Sequence, residues 1–364
     1  MKNARAVGLL GLTAGASVAL FSLITLTLQG CSSDSGNGGG GGGTVNGGDA
    51  GGGGVELQHP PAAPSGPATS STEERNFAVD KIFIGTTDRN GVASENAWKN
   101  FGYDLDNKAT TKASTDVCTP VSKSAQEDGA RGIDNSFGAN ILRLLPYLTQ
   151  TPQEDINAAI TKGSFTMLLD VKGLSSEANQ TATGASGFLL GGSKFEGTPS
   201  FGPSDNWPVL FESVTDPADA RSAKIRFPDA YVSGGVWVNN AAGDVPLSLD
   251  LQAGTVNLTI RKTIITFEHN GAGGAVNGTI AGVLSTDEFI DALKPLAAGL
   301  NQCPVVAQAS GLIRQASDIM ADGTNAPGKP CNGISIGLGF TAKQIAPPQK
   351  VAPKLPPGDG KTCP

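Results

Sequence analysis

Two short stretches carry an unusual density of side-chain oxygens. "GYDLDN" places Asp104, Asp106 and Asn107 within four residues, and "EDGARGIDNSFG" follows with Glu127, Asp128, Asp134 and Asn135. Hard cations such as Ca²⁺ take six to eight oxygen ligands, and closely spaced Asp and Asn in glycine-containing loops supply them. Asp104, Asp106, Asp128, Asp134 and Asn135 are therefore the candidate ligands of a calcium site. A further loop, "SDIMADGTN", offers Asp318, Asp322 and Asn325. None of these loops has the spacing and terminal Glu of an EF-hand. The competing explanation is structural. Asp and Asn satisfy their own backbone in turns, and Asp134 or Asn135 would cap a helix beginning just after them.

Catalytic constellations are sparser. His269, beside Glu268 at the end of an alternating run, is the only histidine in the part expected to fold. It reads as an exposed strand-end residue. A Ser-His-acid triad would require it, and no nucleophile-elbow pattern accompanies it. Glycoside hydrolysis needs only two suitably separated carboxylates. Glu196, Asp205, Glu212, Asp216, Asp250 and Glu268 lie in the β-rich half with Trp207 and Trp237. They make a secreted glycan-active hydrolase the alternative function, against the plain reading of solvated strand and turn acids.

The elements that must position these residues are mostly strands. Period-two alternation marks Asn76–Gly85, Phe165–Val171, Ala223–Phe227, Tyr231–Val238, Leu247–Leu251, Val256–Ile260, Thr263–Phe267, Ala275–Leu284 and Gly333–Phe340. Gly-rich turn pairs, such as Gly234-Gly235 and Gly243-Asp244, separate several of them. Short strands at this spacing predict an antiparallel β-sandwich or barrel-like domain. Accessory helices are expected at Thr151–Thr161, opened by a capping box with proline at its first position, and at Ser285–Leu300. Two more are expected at Gln302–Met320 and Ser136–Tyr147.

Cys118, Cys303, Cys331 and Cys363 are an even set, which in an exported chain implies disulfides. Three pairings are possible; Cys303–Cys331 with Cys118–Cys363 is preferred, because the second would pin the proline-rich tail. Zinc is disfavoured, since there is no CxxC and His59 lies before the folded part.

The N-terminus gives the address. Lys2 and Arg5 precede an uncharged apolar run to Leu28, the pattern of a secretory signal. Leu28-Gln29-Gly30-Cys31 then resembles the lipobox of bacterial lipoproteins. That resemblance implies cleavage before Cys31 and acylation of its thiol and amine, which together hold a soluble domain on a bilayer. Ser32 after the cysteine resembles the outer-membrane sorting pattern. The order of Cys118, Asp128-Gly129 and "GIDNSFG" resembles uncharacterised bacterial surface lipoproteins, which implies no activity. The expected organisation is a signal peptide (1–30), a disordered Gly/Pro/Ser-rich tether (31–75), a β-rich domain (76–345) and a proline-rich tail (346–364).

Without Lys2 and Arg5 the chain carries 24 basic against 33 acidic residues, a formal charge of −9. Such a surface disfavours nucleic acid as a partner. The expected function is a lipid-anchored, non-catalytic binding or structural module on the outer membrane or cell surface. Its partners are the membrane, through the lipid, and a glycan or protein ligand.

Overall fold

The alternating runs form strands because their inward side chains share one apolar core. The computed structural model describes residues 56–66, 71–145, 151–240, 243–251, 254–271, 273–354 and 361–363. Cys31, the signal peptide and most of the tether lie outside them. The strands are β1 (Glu74–Phe83), β2 (Thr166–Lys172), β3 (Ser186–Gly192), β4 (Ile225–Phe227) and β5 (Tyr231–Ser233). They continue as β6 (Val236–Val238), β7 (Gly243–Leu251), β8 (Gly254–His269), β9 (Gly274–Ser285) and β10 (Gly333–Ile345). All pair antiparallel. The order is β4-β3-β2-β1-β10-β9-β8-β6-β5, with β7 on the other half of β8.

The first and last strands of that order are neighbours in sequence. Only Pro228, Asp229 and Ala230 separate β4 from β5, a link that spans at most about 15 Å at 3.8 Å per Cα step. A flat sheet would hold the two edges about 38 Å apart at about 4.8 Å per strand. The sheet must therefore curl back toward itself, and an antiparallel bridge between Ala182 and Val232 stitches the near edges. The domain is mainly β and barrel-like, as the sequence predicts.

Aromatic rings fill one end of the concave face. Phe77 meets Phe267 at 5.6 Å, Trp237 stacks on Phe267 at 5.2 Å, and Phe227 meets Trp237 edge-on at 6.0 Å. Helices α1 (Pro152–Thr161), α2 (Thr286–Gly299) and α3 (Cys303–Gln315) add Ile156, Ile160, Phe289, Leu293, Val306 and Ile313 to the same core. Fully burying side chains of this size contributes about 1.5–3 kcal/mol each. Among the described residues no helix is long and apolar enough to cross a membrane.

β10 shows how one strand serves two purposes. Ile334, Ile336, Leu338 and Phe340 enter the core, while Gly333, Ser335, Gly337 and Gly339 alternate with them on the opposite face. A Cβ on Gly337 would stand 2.1 Å from the Phe101 carbonyl oxygen, and one on Gly339 would stand 2.3 Å from the Phe101 ring. The small residues thus let the acidic loop lie in backbone contact with the sheet.

Several local expectations are corrected. The helix expected from Ser136 is a single π-type turn, Phe137–Ile141; Pro146 lacks the N–H that would continue it, and residues 146–150 lie outside the described ones. α3 ends at Gln315, because Ile319 bridges to Gly333 beside β10 instead. Thr151 makes no side-chain cap bond; Gln153 turns to β1, accepting from the Ile84 N–H and donating to Thr87. The runs Val256–Ile260 and Thr263–Phe267 are one strand, β8, with a register shift where Lys262 has φ 51°. β3 has no counterpart among the predicted strands. Residues 56–66, expected to be part of a disordered tether, pack on the domain through backbone hydrogen bonds.

The cysteines pair as Cys118–Cys331 and Cys303–Cys363, not as preferred from the sequence. The tail is pinned nonetheless, by Cys303 at the start of α3 and by a bridge between Val209 and Val351.

Candidate metal centre

The small face of β10 is the floor of the acidic constellation. Asp134 begins where the chain turns onto that floor: its N–H donates to the Tyr103 carbonyl at 3.0 Å, and its Oδ2 accepts from the Leu105 N–H at 2.6 Å. Asp104 folds the preceding loop, its Oδ1 accepting from Asp106 N–H (3.3 Å) and Lys108 N–H (3.2 Å). Asp106 Oδ1 also accepts from Lys108 N–H at 3.0 Å, around Asn107 at φ 63°. This is the turn chemistry that Asp and Asn favour. Here it also gathers carboxylates: one oxygen each from Asp104, Asp106 and Asp134 lie within 4.8 Å of one another.

Asp104 is the telling member. Its side chain is 0% exposed, and its Oδ2 has no hydrogen-bond partner among the described residues. The His59 Nε2 lies 3.5 Å from it, too long for a normal hydrogen bond. A buried carboxylate oxygen without a partner costs several kcal/mol unless a charge answers it.

The third loop completes the surround. Asp106 Oδ2 accepts from Asn325 Nδ2 at 2.7 Å, and Asn325 Oδ1 accepts from the Cys118 N–H at 2.6 Å. Asp318 is held by the N–H (2.9 Å) and hydroxyl of Ser335 on β10. The Cys118–Cys331 disulfide clamps the loop carrying residues 104–134 to the loop carrying 318–325. Asp128 accepts from the Thr110 N–H.

Electrostatics bind these five carboxyls together. Burial pushes Asp128 up to about 8, with repulsion from Asp318, Asp106 and Asp104 adding to it. Burial also pushes Asp318 up to about 7. Asp134 stands well above the usual carboxylate range, through burial and then Asp128, Asp106 and Asp318. Burial likewise raises Asp104 and Asp106. Lys108, the nearby ammonium, is committed to Asp116. Three mutually close carboxyls, with Asp128 and Asp318 near enough to repel members of the group and little opposing charge, suit a divalent cation, and an all-oxygen trio suits a hard one.

Asp104, Asp106 and Asp134 are thus brought together, with Asp128 beside them. Asn135 is turned to a different task. Its Oδ1 accepts from Gly138 and Gly337 N–H, and its Nδ2 donates to the carbonyls of Trp98, Phe101 and Gly337. Its side chain ties its own turn, the Trp98–Phe101 segment and β10 together, so its part is that of a positioning residue. Asp322 stays apart, bonded to Thr324 at the surface. The joining of Asp318 and Asn325 to the first cluster is not apparent from the sequence; the cysteines beside both loops are the signal that could have shown it.

Among the side chains described, the remaining candidates do not assemble; that of Asp250 lies outside them. His269 is 2% exposed rather than an exposed strand end, and burial lowers its pKa. Trp207 and Trp237 are both 0% exposed and packed in hydrophobic clusters, so neither offers a face to a sugar. Asp205 clamps the 200–205 turn through Ser200 and Phe201, Glu196 pairs with Lys350, and Glu268 accepts from Asn277.

No family model, curated protein or solved structure matches this chain.

Proposed function

We propose that this chain is a lipid-anchored lipoprotein of the outer membrane or cell surface, a non-catalytic binding or structural module whose folded domain is organised by a calcium ion. The cation reading is carried by one observation: the wholly buried Asp104, one of whose oxygens has no partner among the described residues, shares a 4.8 Å cluster of carboxylate oxygens with Asp106 and Asp134. Two disulfides within the fold support export to an oxidising compartment. The anchor rests on the lipobox-like Leu28–Cys31, and the ligand of the module is a glycan or a protein. The hydrolase alternative loses its aromatic platform, because Trp207 and Trp237 are core residues.

Thermal melting in CaCl₂, MgCl₂ and chelator tests the cation. Calcium at a hundredfold excess over its Kd is expected to stabilise by about 2.7 kcal/mol. Mg²⁺ should do less, because it dehydrates reluctantly. Asp134→Asn should weaken the response. A melting temperature indifferent to calcium and chelator in folded protein would refute the reading. For the anchor, Cys31→Ala should abolish acylation, read as the N-terminal lipid mass.

A further inference from the structure

The segment 56–66 lies across the carboxylate cluster and joins its two arms. Gln58 N–H donates to the Arg131 carbonyl, and Asp104 N–H donates to the Gln58 carbonyl, each at 2.8 Å. One residue thereby bridges the arm bearing Asp104 and Asp106 to the arm bearing Asp134. Arg131 Nε donates to the Glu56 carbonyl at 3.3 Å. Leu57 lies over Gly132, where a Cβ would come within 2.7 Å of it. His59 sits 3.5 Å from the Asp104 oxygen that lacks a partner. Farther along, the Tyr231 hydroxyl donates to the Pro61 carbonyl at 2.5 Å.

We propose that cation binding at Asp104, Asp106 and Asp134 and docking of segment 56–66 are one coupled event, a latch between the folded domain and the chain leading to its N-terminus. The inference rests on the calcium reading above. Its physical basis is spacing. Gln58 can reach Arg131 and Asp104 together only while the two arms stand at their native separation. Without a cation, the carboxylates of the two arms repel and favour parting; a bound cation draws the arms together and restores both of Gln58's partners. Coupling is reciprocal, so whatever the cation does for docking, docking does for cation affinity.

Two measurements on the full chain test this. Calcium affinity is read by titration calorimetry for the parent, Gln58→Pro and Tyr231→Phe. The first removes the N–H given to Arg131; the second frees Pro61 without touching the cluster. Both variants are expected to raise the calcium Kd by about fivefold or more, the low end of measured coupling. Amide exchange over residues 57–62 should slow on adding CaCl₂ to the parent. If the parent binds calcium while both variants bind it equally well and exchange is unchanged, the latch is wrong and the calcium site stands. If the parent takes up no calcium, both fall. Should Gln58→Pro fail to fold, Tyr231→Phe with the exchange measurement decides alone.

Discussion

The two faces of β10 are held by different physics. On the concave side Ile334, Ile336, Leu338 and Phe340 pack among aromatic and aliphatic side chains, where stability follows buried area and does not depend on ions. On the outer side, Ser335, Gly337 and Gly339 carry a loop fixed by hydrogen bonds, a disulfide and five carboxyls whose charges oppose one another. A face built from apolar contacts tolerates any solvent that keeps it dry. A face built from like charges is conditional on what neutralises them.

The largest effect should come from the inner face and ignore calcium. Phe267→Ala removes a wholly buried ring between Phe77 and Trp237 and should cost about 3–5 kcal/mol. Urea unfolding should give the same loss with calcium and with chelator; a calcium-dependent loss would mean the two faces are not separable.

The disulfides come next, and they split along the same line. Replacing Cys118 and Cys331 together with Ser should cost about 2–5 kcal/mol and blunt the calcium shift in melting temperature, because the loops at the cluster lose their clamp. Replacing Cys303 and Cys363 should cost a similar amount and leave the calcium shift intact.

A pH series sharpens the contrast. A carboxyl whose folded pKa lies above its unfolded value binds protons more tightly when folded, so its contribution is full below about pH 4 and is lost as pH rises through the folded pKa. For Asp318 and Asp128 that loss runs up to about pH 7 and about pH 8. Chelated protein should therefore lose stability across this window, and calcium should abolish the loss. Asp170 on β2, pushed up to about 6 by burial although Arg221 beside it holds it down, supplies a smaller loss that ends near pH 6 and that calcium should not touch.

The smallest effect carries an unusual sign. Asp128→Asn keeps an acceptor for the Thr110 N–H yet removes a charge that its neighbours oppose. At pH 8 in chelator it should stabilise, while reducing the gain from calcium. Destabilisation in chelator would show that the repulsion is not felt.

The inner face was legible in the sequence because its signal is local. "GISIGLGF" states both the apolar and the small face of β10 within eight residues. The acidic loops were legible for the same reason, as runs of Asp and Asn. Their assembly was not, since Asp106 meets Asn325 across 219 residues and Cys118 meets Cys331 across 213. Residue type also misleads at Asn135, an acceptor in composition that becomes a five-bond strut through a partner, Gly337, 202 residues away. His269 shows the converse: a strand end looks exposed until the strand beyond it is known to pack there.

The three-residue link between β4 and β5 has a consequence for crowding. Anchored side by side on a membrane, as proposed above, copies of the chain would meet edge to edge, and an open sheet edge is a template on which another chain can add a strand. Here the two terminal strands are three residues long and drawn toward each other by Pro228–Ala230. β7, the longer border, carries Pro246, which has no N–H to offer a neighbour. The curl that closes the core also leaves adjacent molecules little to grip, so packing many copies side by side need not lead to aggregation.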